Sequence, residues 1–141
     1  MEELLQGRTG RAESNFLSRP VRYRSPNTKW EFNRGKANAL RDGAGWKRGA
    51  DGVREKGGKK MKFVYQTSIN GTRQKEQAIV KQACQKAGID LELKSVTASV
   101  FFSSDFANPD TYPQFWTDMQ MYTTTMTAPD ADRFMDTYQW G

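Results

Sequence analysis

The feature that most constrains this chain is a change of period within residues 61–96. Met61, Phe63, Tyr65 and Thr67 alternate with Lys62, Val64 and Gln66, which is a strand pattern. From about Thr72 to Ala87 the spacing changes. Ala78, Ile79, Val80, Ala83, Cys84 and Ala87 fall on one side of a predicted helix, while Lys75, Glu76, Gln82, Gln85 and Lys86 are polar. Gly88 supplies a helix stop. Ile89, Leu91 and Leu93 then alternate with Asp90, Glu92 and Lys94, giving a second strand. A strand, a helix and a strand this close in the chain are best satisfied by a parallel crossover. A third strand is expected at Asp118 to Thr124, with Met119, Met121 and Thr123 on one face, and a short helix from Asp130 to Tyr138. The expected fold class is α/β, with a small mixed sheet and flanking helices.

The first sixty residues are organised differently. A short helical start runs from Glu2 to Gln6, followed by a loop punctuated by Gly7, Gly10, Pro20 and Pro26. Asn33 is placed to cap a helix running through Lys36, Ala37, Ala39 and Leu40. Gly43-Ala44-Gly45 ends that helix, and Trp46 follows as an apolar anchor against it. Residues 47–60 (KRGADGVREKGGKK) read as a turn or hairpin tip, too polar to be core. The chain is therefore expected to form one partial domain over 1–141. Residues 1–60 make a loop-rich basic segment with one helix, and residues 61–141 a strand–helix–strand core with an aromatic segment.

Charge follows the same division. Residues 1–62 carry 16 Lys and Arg against 7 Asp and Glu, whereas residues 63–141 carry 6 against 9, for a net charge of +6. A basic arm on a folded body is one reading, and it makes a nucleic-acid-binding protein using residues 19–62 the rival function. Solvated loop charges are the other reading. With no histidine, Ser-His-Asp, Cys-His and imidazole–zinc sites are excluded, and one cysteine excludes an internal disulfide. No run reaches the roughly 18–20 apolar residues of a membrane-spanning helix. The start, MEELLQGRTGR, has no apolar stretch of the secretory kind, so the chain as it stands reads as cytoplasmic.

Several residues are candidates for chemistry. Cys84 lies on the apolar side of the predicted helix, where a thiol acts as a small hydrophobe. Asp105, Asp110, Asp118, Asp130, Asp132 and Asp136 are numerous, but nothing in their spacing fixes two across a substrate, so an enzyme reading rests on unplaced carboxylates. The glycines at 43, 45 and 49 follow a helix and make no phosphate cradle. Asn70-Gly71-Thr72 matches a glycosylation sequon, yet Asn70 stands where a helix cap is needed. Phe101, Phe102, Phe106, Tyr112, Phe115, Trp116 and Tyr122 crowd into 22 residues. Such density reads as core, and also as the wall of a pocket for a peptide-like ligand. Tyr122-Thr123-Thr124-Thr125 runs off the end of a predicted strand, where open α/β sheets meet ligands, and Asp130 follows as a partner for a ligand amine.

Three stretches in order carry a resemblance. NTKWEFNRGKANALRDGAGWKRGADGVREKGGKKMKFVY (27–65) resembles the helix ending in Ala-Gly-Trp, the glycine-rich "G-x-R-x-K-x-G" turn and the strand of extracytoplasmic solute-binding proteins of peptide, opine and nickel ABC importers. QTSINGTRQKEQAIVKQACQKAGIDLELKSVTASVFF (66–102) is similar to that family's next strand, helix, strand and loop, and TDMQMYTTTMTAPDADRFM (117–135) to the strand and loop that reach the ligand cleft. Asn33-Arg34 stands where Asn/Asp-Pro is usual, and Arg41-Asp42-Gly43 where Leu-Asp-Glu is typical. The resemblance covers nearly the whole chain, from about residue 2, but only a middle piece of a two-lobed protein several times longer. It implies part of one lobe of a periplasmic-binding-protein type II fold, and a truncated or excised fragment. The implied function is non-catalytic binding of an oligopeptide or similar solute for import, with no cofactor and no metal. An ABC permease complex is the implied partner, and the periplasm the implied location. Tyr122, Thr123, Thr124 and Asp130 are the expected ligand-facing residues, with Phe101 and Phe102 as walls. Self-association is expected if apolar groups in 101–122 and at Phe134, Met135, Tyr138 and Trp140 are left exposed.

Overall fold

Asn33 starts the first helix as its sequence position suggests. Its Oδ1 accepts the Lys36 N–H at 2.9 Å and opens α1 (Arg34–Gly43). Gly45, at φ +84°, takes the left-handed conformation that closes the helix, and the Trp46 N–H reaches back to the Arg41 carbonyl at 2.9 Å. The computed structural model describes residues 14, 15, 17, 20–124, 131 and 135. Within it the chain forms two compact units. One contains Asn33–Tyr122, and the other the described residues of Gly7–Phe32 and Thr123–Gly141.

Residues 47–60 correct the sequence reading. They form a small antiparallel sheet of β1 (Lys47–Arg48), β2 (Arg54–Lys56) and β3 (Lys59–Lys60), in that order. Gly57 and Gly58 both have positive φ, which suits the tight two-residue turn between β2 and β3. Glu55 lies between Lys47 and Lys60 on the flanking strands, so opposite charges alternate across the sheet. The segment is also not uniformly solvated: Arg54 is 2% exposed.

The period change resolves as expected. β4 (Lys62–Ser68), α2 (Gly71–Lys86) and β5 (Asp90–Val96) form the strand–helix–strand unit, with β4 and β5 parallel from Lys62↔Asp90 to Ser68↔Val96. A single turn of helix, α3 (Ala98–Phe101), follows β5. The third strand, β6 (Met119–Met121), is shorter than the expected 118–124 and pairs parallel with β4 on its other side, in the order β5-β4-β6. Parallel and antiparallel pairing thus occur in separate sheets. Asn70 caps α2, accepting the N–H groups of Thr72 and Arg73 at 3.1 Å each, which absorbs the sequon. Gly88, at φ +81°, ends α2, and the Ile89 N–H bonds the Cys84 carbonyl at 2.9 Å.

Two burial patterns differ from the alternation read in the sequence. Because β4 is the central strand, its second half is covered on both faces: Tyr65, Gln66, Thr67 and Ser68 are all buried. Phe63, at the other end, is exposed. On α2 the buried residue is Gln77, while Ala78 and Ile79 face solvent. Gln77 is tolerated because its Nε2 donates to the Tyr65 carbonyl at 2.7 Å. The buried polar groups of β4 are likewise satisfied: the Gln66 amide donates to the Asp110 carbonyl at 3.0 Å, Thr67 to the Met121 carbonyl at 2.6 Å, and Ser68 accepts from Arg73 at 2.6 Å.

In the second unit, Val21–Tyr23 form one 3-10 turn. The expected helix at Glu2 to Gln6 lies outside the described residues. So does most of that at Asp130 to Tyr138, of which only the bond from the Met135 N–H to the Ala131 carbonyl, at 2.8 Å, is described.

Candidate functional site

In a parallel sheet the carboxyl ends of the strands open onto the loops that most often meet ligands. Here β5 runs into α3 and ends on Phe101 and Phe102, and β6 runs directly into Tyr122. These three residues are brought together with Tyr112. Phe101 and Phe102 pack edge to face with centroids 4.9 Å apart, Tyr112 lies 5.3 Å from Tyr122 and 5.9 Å from Phe102, and Tyr122 lies 6.1 Å from Phe101. The Tyr112 N–H donates to the Phe101 carbonyl at 2.8 Å, fixing the loop on α3. Asp110, two residues earlier, is ion-paired with Lys94 on β5.

The cluster is graded in depth. Phe101 is completely buried, so it acts as the floor, whereas Tyr112 and Tyr122 are half-buried and Phe102 is 45% exposed. Beyond it the aromatic segment turns outward: Phe106, Phe115 and Trp116 are exposed. Phe115 also has φ +48°, a left-handed conformation that a bulky side chain rarely adopts and that costs about 1–2 kcal/mol. Thr123 and Thr124 are exposed and belong to the second unit. Asp130 lies outside the described residues.

The other sequence candidates take structural roles. Asp105 accepts the Ala107 N–H at 2.9 Å and Asp118 the Val64 N–H at 2.8 Å. Asp132 and Asp136 lie outside the described residues. Among the described residues no three carboxylates or thiols come together as a metal site. Cys84 is half-buried, and burial pushes its thiol pKa up, away from the reactive thiolate. No described helix is long and apolar enough to cross a membrane.

Sequence reasoning missed Arg54. Its guanidinium donates from Nε to the Ala87 carbonyl at 2.9 Å, from Nη1 to Trp46 O and Asp42 Oδ1 at 2.6 Å each, and from Nη2 to Asn38 Oδ1 at 3.2 Å. The Arg54 N–H adds a bond to the Gly88 carbonyl at 2.7 Å. One side chain therefore ties α1, the small sheet and the end of α2 together. The bond from Arg54 Nη1 holds the Asp42 carboxyl below the usual carboxylate range. The signal was in the sequence as the arginine of the "G-x-R-x-K-x-G" turn, at Gly52, Arg54, Lys56 and Gly58. Its neighbours are committed too: Arg48 donates to the Lys86 carbonyl at 2.7 Å, Lys56 to the Ala44 carbonyl at 2.8 Å, and Lys60 pairs with Asp51. Part of the charge that motivated a nucleic-acid reading is engaged within the first unit, and that reading gains no support.

In the second unit a cavity of about 360 Å³ is lined by Ser14, Asn15, Val21, Arg24, Ser25, Pro26, Thr28 and Lys29. Its walls are set by bonds from the Ser25 N–H to Asn15 and from the Trp30 N–H to Ser14, each 2.9 Å.

The chain is similar to parts of several solved structures. The oligopeptide-binding protein AppA of Bacillus subtilis, solved with a nonapeptide, superposes with a TM-score of 0.57 at 26% identity, over 70% of this chain and 21% of its own. An oligopeptide-binding protein of Thermus thermophilus, solved with a pentapeptide, gives 0.57 at 28% identity, over 69% and 17%. NikA of Brucella suis, solved with Fe(III)-EDTA, gives 0.56 at 25% identity, over 82% and 23%. The chain thus spans about a fifth of the length of these relatives. The α/β fold is therefore that of a part of a periplasmic binding protein. The model of the middle region of the bacterial extracellular solute-binding proteins, family 5, matches residues 1–140, and the chain belongs to that family.

Proposed function

We propose that this chain contributes an aromatic wall to the binding of an oligopeptide-like solute, as part of substrate capture for ABC-type import. The observation that carries the reading is the graded cluster of Phe101, Phe102, Tyr112 and Tyr122 at the carboxyl ends of β5 and β6. Half-exposed rings over a buried floor offer apolar area to side chains of a ligand, and the two tyrosine hydroxyls supply polar tips. Family membership supports the solute class, since relatives were solved with a nonapeptide and a pentapeptide. Thr123, Thr124 and Asp130 are proposed as polar ligand contacts, and a permease complex as the downstream partner.

A wall without the rest of a cleft buries little of its ligand, so affinity is expected to be weak. Calorimetric titration of the purified chain with peptides of five to nine residues, about the lengths found in the relatives, should give saturable binding weaker than about 1 μM. Phe102→Ala and Tyr122→Ala should each weaken it at least about tenfold. Alanine variants of Thr123, Thr124 and Asp130 should weaken it less. Binding that the two aromatic variants leave unchanged, or no saturable binding at all, would overturn the reading.

A further inference from the structure

β5 is an edge strand of the parallel sheet, and its backbone shows which groups the edge offers. The Asp90 N–H donates to the Met61 carbonyl at 2.9 Å, and the Val96 carbonyl accepts from the Ile69 N–H at 2.7 Å. In a parallel strand the two backbone groups of one residue point the same way, and successive residues alternate. Asp90, Glu92, Lys94 and Val96 therefore bond β4, while Leu91, Leu93 and Ser95 turn N–H and C=O outward. Among the described residues no backbone group takes these up.

We propose that β5 pairs antiparallel with β5 of a second copy of this chain, about a two-fold axis through Leu93. In that register Leu93 opposes Leu93, and Leu91 opposes Ser95. Every outward N–H and C=O of both copies is then bonded. The remaining positions set Glu92 of each copy opposite Lys94 of the other, which is a favourable cross-strand pair. Charge also selects the register. Sliding by two residues keeps the backbone bonding but sets Glu92 against Glu92 in one direction and Lys94 against Lys94 in the other. Glu92 is exposed, and Lys94, though paired with Asp110, is 40% exposed at its side chain and still meets the edge. A two-fold edge pairing of this kind closes on itself and does not propagate into a fibre.

Sedimentation velocity over a wide concentration range tests the proposal. The chain should show a reversible monomer–dimer equilibrium. Leu93→Pro removes an outward N–H at an edge position where proline is tolerated, and should raise the dimer dissociation constant at least about tenfold. Glu92→Lys and Lys94→Glu should each be monomeric alone, and mixing the two should restore a dimer, because each then meets the opposite charge. Circular dichroism identical to the parent establishes that each variant is folded. If Leu93→Pro does not fold, the mixing experiment decides. A monomer at every concentration, a dimer that Glu92→Lys leaves intact, or a mixture that stays monomeric would overturn the proposal. So would a monomer whose edge is protected only by an added extended peptide.

Discussion

Residues 47–60 and residues 101–118 invert each other. The first stretch is almost wholly polar, yet it holds the most deeply packed large side chain of its neighbourhood, Arg54. The second is the richest in aromatic rings, yet Phe106, Phe115 and Trp116 stand in solvent. The contrast shows that burial here follows the supply of partners more than hydropathy. Arg54 goes inside because the end of α1, the turn after it and the end of α2 present acceptors at hydrogen-bond distance. The outer aromatic rings remain exposed, and among the described residues no ring is seen to pack against Phe106, Phe115 or Trp116.

Substitutions at the two positions should break the comparison most sharply. Arg54→Ala is expected to destabilise the first unit by about 3 kcal/mol, chiefly because it leaves the Trp46 and Ala87 carbonyls without their donor, while the half-exposed Asp42 carboxylate is rehydrated. Denaturant unfolding measures this, and a loss as small as that for Lys56→Ala would contradict the role given to Arg54. In the aromatic stretch, Phe101→Ala should cost about 3 kcal/mol by leaving a cavity. Trp116→Ala should change stability by less than about 0.5 kcal/mol. Equal effects would mean that the grading in depth is wrong.

Gly88 sharpens the point at one atom. It combines a left-handed backbone with a close approach, since a Cβ there would stand 2.6 Å from Arg54 Cγ. Gly88→Ala should therefore cost about 2 kcal/mol, from backbone strain and displacement of the arginine stem. Its loss should not add fully to that of Arg54→Ala in a double-mutant cycle.

Acid should weaken the polar stretch. The hydrogen bond from Arg54 lowers the pKa of Asp42, and that from Lys60 lowers the pKa of Asp51. A carboxyl whose folded pKa lies below its unfolded value stabilises the fold above the unfolded pKa of about 4, and loses that contribution as pH falls through the folded value. Stability should thus be flat with respect to these two groups from neutrality to about pH 5 and decline below pH 4. Asp42→Asn should flatten part of that decline. A change of the opposite sign is expected at Phe115, where Phe115→Gly relieves the left-handed strain and should be neutral or stabilising by up to about 1 kcal/mol.

The sequence made legible what depends on near neighbours. The strand–helix–strand order, the caps at Asn33 and Asn70 and the stop at Gly88 are set within a few residues, and each stands where its local pattern placed it. Gln77 was readable in principle, because it lies on the stripe of Arg73, Val80 and Cys84 at helical spacing. The turn motif marked Arg54, but hydropathy could not show that it is buried, because its Nε partner lies 33 residues away. The burial of Gln66 rests on partners just as distant, the Asp110 carbonyl and the Gln120 side chain, 44 and 54 residues later. At the candidate site, the meeting of Phe101 with Tyr122 followed from the strand ends, but the irregular spacing of 101–118 gave no way to separate floor from surface.

The Arg54 knot has a consequence for synthesis. A ribosome releases residues 33–60 well before Ala87 and Gly88, the residues whose carbonyls Arg54 needs. Until α2 has emerged and closed, this arginine has no acceptor on that side, and the early segment cannot finish its own structure. Residues 33–60 are therefore expected to reach their full stability only after the strand–helix–strand unit has been made, because the bonds of Arg54 to Ala87 and Gly88 join two segments made at different times.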